Sequence, residues 1–241
     1  MIATPARVLV IAAHPDDCEF GCGATVARWA RAGAAVDLLV LTDGSKGSHD
    51  PDLPDEELRD RREREATAAA EVLGLAGVRC ARQVDGELAQ HPELVSWVAS
   101  AIRELRPEVV ITHDPWQRYD MHPDHAVAGS VVRAAIYGAS EPRALRELAQ
   151  RGLAPWRPKE LLLWHPEQPD HFEEAEETFD VKIEALLRHE SQFVTSFGIN
   201  GDEGDRERFV QHVRDWMLGS GPGGGVLAEG FRRIPLIRHP G

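Results

Sequence analysis

The sequence predicts an α/β fold: a doubly wound, mostly parallel sheet with helices on both faces. Three observations predict it. Short apolar runs rich in β-branched residues show no polar alternation, as strands buried on both faces must. Longer segments of helical period, closed by glycine or proline, separate them. The two kinds alternate without interruption over the first 137 residues, the pattern of repeated strand–helix units.

Residues 8–13 (VLVIAA) read as the first buried strand, 21–32 as a helix ended by Gly33, and 36–41 as the second strand. Residues 56–73 form a long charged helix with Ala and Leu on one face, stopped by Gly74. Residues 78–84 give a third, weaker strand, and 92–105 a helix broken at Pro107. Residues 109–112 make a fourth buried strand, and 123–137 a further helix. Beyond that the pattern loosens: strands at 161–164 and 179–181, helices at 182–191 and 206–218. Residues 219–225 form a Gly/Ser/Pro loop, a solvent loop or a mobile lid. No repeat or linker interrupts the chain, so residues 1–241 are expected to form one domain.

Composition narrows the function. With 27 Lys+Arg against 40 Asp+Glu the net charge is −13, which disfavours nucleic acid and anionic membrane surfaces as partners. No run approaches the roughly 18 apolar residues of a membrane span, and 8–13 is too short for a signal-peptide core of about 7–15. Three cysteines (Cys18, Cys22, Cys80) cannot build a disulfide framework, so a reducing cytoplasm is expected. Cys18 and Cys22, spaced i, i+4, are buried thiols or, less commonly, thiolate ligands. A homo-oligomer is compatible with this composition.

Two segments carry the chemistry: His14-Pro15-Asp16-Asp17 and His122-Pro123-Asp124-His125. Each follows a predicted buried strand, the first directly and the second after about ten residues. In a Rossmann-like strand order 3-2-1-4, strands 1 and 4 meet where the winding reverses, and ligands bind outside the carboxyl ends of strands there. The two loops are therefore expected to converge. Imidazole and carboxylate suit zinc, and a catalytic site needs three protein ligands with one open position. His14 and Asp17 with one histidine of the second loop would complete such a set. The leftover carboxylates would be free for acid–base work. Pro123 fits the first position of a helix, with His122 at its N-cap.

The blander readings are specific too. Most of the 11 histidines (His49, His91, His165, His171, His212, His239) read as surface or partly buried residues, and Asp16 or Asp17 could be a helix cap. A rival reading of the first loop is an NAD(P) site, with Gly21 and Gly23 as a GxG and Asp43 as a ribose acid, making the chain an oxidoreductase. The glycines come late for that, and Asp16 and Asp17 would repel a pyrophosphate. Gly21 and Gly23 fit better as points of close helix–sheet approach. Trp116, in the loop before His122, is either a platform for a sugar ring or a rim aromatic.

The sequence resembles the PIG-L / LmbE-like family of zinc-dependent N-acetylglucosamine deacetylases. The resemblance rests on Ala13 to Asp17 with Glu19 and Gly21-Cys22-Gly23-Ala24-Thr25, and on His122 to His125. Arg62, Glu65, Leu73-Gly74, Asp85-Gly86 and His189 to Gln192 match further family elements between residues 8 and 192. It implies the LmbE-like three-layer fold and removal of an N-acetyl group from a small N-acetylglucosamine-type conjugate, releasing acetate and a free amine. It implies one Zn2+ held by His14, Asp17 and His125; the donor types themselves would also accept Fe2+ or Co2+, whose ligand preferences overlap. It implies Asp16 as general base, and His122 near the oxyanion and the leaving amine. Arg62 and Asp85 occupy positions that hold the sugar in relatives. We expect His122 to be cationic and paired with Asp124, and Arg118 to suit a phosphate or carboxylate on the aglycone, unless it is only a surface arginine. One departure stands out: relatives often carry Tyr two residues before the first histidine of the second motif, where this chain has Asp120, with Tyr119 one place earlier. A non-catalytic sugar-binding relative would lack a ligand or the base, and neither is missing.

Overall fold

The computed structural model describes residues 1–236. The expectation for His239 lies outside them. β1 (Arg7–Ala12), β2 (Ala35–Thr42), β3 (Gly77–Gln83), β4 (Val109–His113) and β5 (Glu160–Trp164) pair in parallel. β6 (His171–Glu174) and β7 (Ala228–Pro235) join antiparallel, giving the order β3-β2-β1-β4-β5-β7-β6. The predicted 3-2-1-4 order is present, and β1 lies beside β4 in register Val8↔Val109 to Ile11↔Thr112.

Successive residues of each central strand feed opposite cores, which is why the strands show no polar alternation. Leu9 and Ile11 face a core completed by α3 (Pro92–Leu105) and α4 (Pro123–Ser140). Val8 and Val10 face one completed by α1 (Asp17–Arg31) and α2 (Asp55–Leu73). The result is the three-layer α/β fold. Gly74 ends α2 in the left-handed conformation (φ 76), as predicted. Gly21 lets α1 approach the sheet: a Cβ there would stand 2.5 Å from the Trp164 ring. The GxG is thus packing, and the dinucleotide reading loses its glycines.

The later chain departs from expectation. The apolar run at 179–181 is not a strand; it opens α6 (Phe179–Leu186). Phe179, Ile183 and Leu186 recur at helical spacing and are buried together against Phe209 and Val213 of α7 (Asp205–Ser220). Three apolar residues are too few to separate the two periods. The helix expected at 182–191 stops at Leu186, followed by a 3₁₀ turn (Glu190–Gln192) and a π turn (Phe193–Phe197). α5 (Arg146–Gln150), β6 and β7 gave no apolar signal. β6 reads HFEE, and its Glu173 is buried only because His171, Arg28 and the Ile2 N–H all contact its carboxylate. Among the described residues no helix is long and apolar enough to cross a membrane. All three cysteines are free thiols, and both Cys18 and Cys22 are fully buried.

Candidate active site

Loops from the carboxyl ends of four strands meet in one cleft of about 310 Å³. The turn after β1 is tight, with the Asp17 N–H directed at the His14 carbonyl, and the Asp17 carboxylate accepts the His14 N–H at 2.6 Å. After β4, Pro123 occupies the first turn of α4, and His122 caps it, its Nδ1 accepting the Asp124 N–H at 3.3 Å. Gly129 brings α4 against β4; a Cβ there would lie 2.6 Å from the His113 carbonyl oxygen. After β3, the N–H groups of Gly86 and Leu88 donate to the Asp124 carboxylate at 2.8 and 3.1 Å. After β2, the Lys46 N–H donates to Asp85 at 3.1 Å.

His14 stands at the centre. Its Nδ1 lies 3.2 Å from Asp17 Oδ2, and its Nε2 lies 3.3 Å from both Asp85 Oδ1 and Asp124 Oδ2. The His125 Nδ1–H donates to Asp120 at 2.7 Å, which leaves the lone pair of Nε2 directed 3.6 Å from Asp17 Oδ1. The His14 ring centroid is 4.3 Å from that of His122 and 5.2 Å from that of His125.

This donor set fits a divalent cation. Ligand atoms about 2.0–2.1 Å from a tetrahedral ion stand roughly 3.3–3.4 Å from one another. Asp17 meets both His14 and His125 at near that spacing. Among the described residues three overlapping groups can converge on an ion: His14, His122 and His125; His14, Asp85, His122 and Asp124; Asp17, His113 and His125; the expected set of His14, Asp17 and His125 is divided between the first and the third. The Asp120–His125 contact would supply the outer carboxylate that orients an imidazole bound to such an ion.

The electrostatics agree. Burial disfavours a charged His14, but Asp17, Asp124 and Asp85 outweigh it and raise its pKa well above the usual imidazole value. Burial likewise opposes ionisation of Asp17, yet His113 and His14 hold its carboxyl well below the ordinary range. Asp85 and Asp124 are lowered against their burial, chiefly by His14 and by backbone N–H donors. A pocket that stabilises a buried cationic imidazole is a pocket that attracts cations.

The family model described as GlcNAc-PI de-N-acetylase (PIG-L) matches residues 9–136, more than half the chain. The chain belongs to the PIG-L family. It is 34% identical over 232 residues to a diacetylchitobiose deacetylase of Thermococcus kodakarensis, covering 96% of this chain and 84% of that protein. It is 32% identical over 198 residues to a 1D-myo-inositol 2-acetamido-2-deoxy-alpha-D-glucopyranoside deacetylase of Kineococcus radiotolerans, covering 68% of this chain and only 54% of the relative. Among solved structures, the N,N'-diacetylchitobiose deacetylase of Pyrococcus horikoshii, complexed with its inhibitor MPG, superposes with a TM-score of 0.86 at 27% identity. That match covers 96% of this chain and 84% of that one.

Within this PIG-L chain, seven of the expected residues line the cleft: His14, Asp16, Asp17, Arg62, Asp85, His122 and His125. Asp124 lies beneath them, fully buried. Asp16 sits at the N-cap of α1 but makes no cap bond; its carboxylate accepts from Arg62 Nη2 at 2.9 Å. Arg62 is itself buried, its Nη1 donating to the Gly44 carbonyl.

Three expectations are corrected. The Asp124 carboxylate is not hydrogen-bonded to the His122 side chain, which takes only the Asp124 backbone N–H, because its oxygens are taken by His14 and by the Gly86 and Leu88 N–H groups. His122 is not favoured as a cation: burial, His14 and His125 all depress its pKa. With Nδ1 accepting the Asp124 N–H, the neutral ring keeps its proton on Nε2. Arg118 does not line the cleft; its N–H binds Glu167 and its guanidinium lies in solvent over Tyr119. Tyr119 and Trp116 also point to solvent, Trp116 beneath Arg133.

Sequence reasoning missed His113 and Lys46, named Asp120 only as the departure from the family's tyrosine, and reached Gln192 only within the 189–192 resemblance. His113 is the last residue of β4, fully enclosed, with Nε2 3.0 Å from Asp17 Oδ2. A polar residue closing an otherwise apolar strand at the winding reversal was the available signal. Lys46 lines the cleft from a loop with no motif of its own, and Gln192 from the end of the 3₁₀ turn.

Proposed function

We propose that this chain is a metal-dependent hydrolase that removes the N-acetyl group from an N-acetylglucosamine-type sugar conjugate, releasing acetate and a free amine. What supports the reading is one juxtaposition in a PIG-L chain: the Asp16 carboxylate, held by Arg62, beside the His14, Asp17 and His125 donors. Both curated relatives compared above carry names of deacetylases acting on acetamido sugars.

His14, Asp17 and His125 would hold one divalent cation, Zn2+ by preference for this donor set, with Fe2+ or Co2+ as substitutes. When bound, such an ion supplies a Lewis acid for the amide carbonyl and lowers the pKa of water to about 7. Asp16 takes a proton from the attacking water as its oxygen adds to the carbonyl carbon. The same proton then passes to the nitrogen as the C–N bond breaks, so atoms balance as acetate plus amine. Arg62 fixes the Asp16 carboxylate in place. His122 donates its Nε2–H to the oxyanion as a neutral imidazole, a form favoured by its place at a helix N-terminus. Asp85, with one oxygen on the Lys46 N–H, is positioned to accept a sugar hydroxyl. Three free thiols and an acidic charge fit a cytoplasmic enzyme with a small-molecule substrate.

Acetate release from a panel of N-acetylglucosamine, N,N'-diacetylchitobiose and an N-acetylglucosaminyl-inositol tests the reading. Turnover of at least one, abolished by chelation and restored by Zn2+, is expected. No acetate from any of them with metal-loaded protein would overturn it.

A further inference from the structure

A second cavity of about 310 Å³ opens between α7, β7 and the turn that follows β5, and none of its lining residues lines the catalytic cleft. Its walls carry His165, Trp216, Gln117 and Ser220, with the edge of α1 at Gly21 and Glu229 behind. Three features of this cavity are unexplained by packing. His165 holds a left-handed backbone (φ 52), a strained state that in non-glycine residues clusters at functional sites. Its Nε2 is buried with no hydrogen-bond partner among the described residues, where most buried polar groups are satisfied. Its ring meets the Trp216 indole edge-on at 4.9 Å, and that indole is a large aromatic left 38% exposed at the cavity.

The charge at the floor is balanced. Lys182 Nζ donates to Glu229 Oε1 at 2.7 Å and lies 5.6 Å from the Trp216 ring. The Glu229 oxygens also accept the Ala24 and Thr25 N–H groups at 3.0 and 2.8 Å, and Lys182 neutralises the carboxylate. Burial, with Lys182 and His113 nearby, lowers the His165 pKa to about 3, so the ring is neutral and offers one donor and one acceptor.

We propose that this cavity binds an uncharged, hydroxylated ring, a sugar or cyclitol, stacked on Trp216 and hydrogen-bonded by His165, Gln117 and Ser220. An aromatic face with convergent neutral donors and acceptors, and no net charge, matches the apolar faces and hydroxyl edges of such rings. The volume is at the lower end of ligand sites, about 300–1,000 Å³, and suits a single ring. The ring is either part of the substrate conjugate or a separate free sugar, and the two share this chemistry.

Saturation-transfer NMR with methyl β-D-glucopyranoside, which has neither charge nor amide, tests the site whether or not the chain proves to be a deacetylase. Transfer to the wild type should fall at least tenfold in Trp216→Ala. Ser220→Arg, an exposed helix-end position that tolerates a long side chain, should block the mouth and abolish transfer with the thermal midpoint unchanged. No transfer to the wild type, or transfer that both variants leave intact, overturns the proposal. Kinetics then separate the sources. A KM for N,N'-diacetylchitobiose raised about tenfold in Ser220→Arg, with that for N-acetylglucosamine unchanged, assigns the ring to the substrate. Loss of glucoside binding with both KM values unchanged assigns it to a separate sugar.

Discussion

His113 Nε2 lies 3.0 Å from Asp17 Oδ2, although 96 positions separate the two residues in sequence. The Trp164 indole N–H donates to His113 Nδ1 at 3.3 Å, and the Ala13 N–H lies 3.2 Å from Nε2, so the ring is fixed on both sides where it meets the carboxylate. Asp17 is therefore oriented through an indole and an imidazole that arrive on β4 and β5. Outer partners of metal ligands are commonly worth about 10–100-fold in affinity. His113→Phe should lose that much metal affinity, read by competition with a chelating dye. Wild-type affinity in that variant would remove His113 from this role.

Among the described residues, Arg62 is the one side chain hydrogen-bonded to the Asp16 carboxylate. Asp16→Asn should keep stoichiometric metal and lose about 10²–10⁴-fold in kcat, the range for a positioned base. Near-normal turnover would reassign the proton transfer.

Arg62 is 3% exposed and Asp16 is 7% exposed, so the pair has been withdrawn from water. Arg62→Ala strands a buried carboxylate and should cost about 3–5 kcal/mol in urea unfolding. In Asp16→Asn the same arginine substitution should cost markedly less, since no charge is left behind. Equal costs in the two backgrounds would show that the pair is not coupled.

Metal should stabilise the fold. At a free concentration of 100 Kd the gain is about 2.7 kcal/mol. His14→Ala and His125→Ala should abolish that gain along with metal content, measured by metal analysis and melting.

The chelated protein should be most stable near pH 6.5. His14 has a raised pKa, so its contribution is complete below 6.5 and fades as pH rises toward its folded value. His113, His122 and His165 have depressed values, His165 to about 3, so their neutral forms lose stability as pH falls below 6.5. Urea midpoints of chelated protein that climb steadily from pH 6 to 9 would contradict this.

Much of this was legible before any coordinates. Strands β1, β2 and β4 announce themselves because burial on both faces demands unbroken apolar runs. The two His-Pro-Asp loops follow from the strand order, since β1 and β4 must be neighbours for them to meet. The edge was illegible for the converse reason: β6 hides a glutamate and a histidine in mutual contact, and β7 carries Arg232 and Arg233 to solvent.

By itself, then, the sequence determined the layered fold and the converging loops, because local period and spacing encode them, while Asp85 beside His14 came only with the family resemblance. Tertiary structure alone decided the partners. Asp124 turned to His14 rather than His122, Arg62 closed on Asp16, Asp120 took His125, and His165 was left facing a cavity beside Trp216. Such pairings depend on where side chains from distant strands end in space, a matter of sub-ångström packing that no linear spacing records.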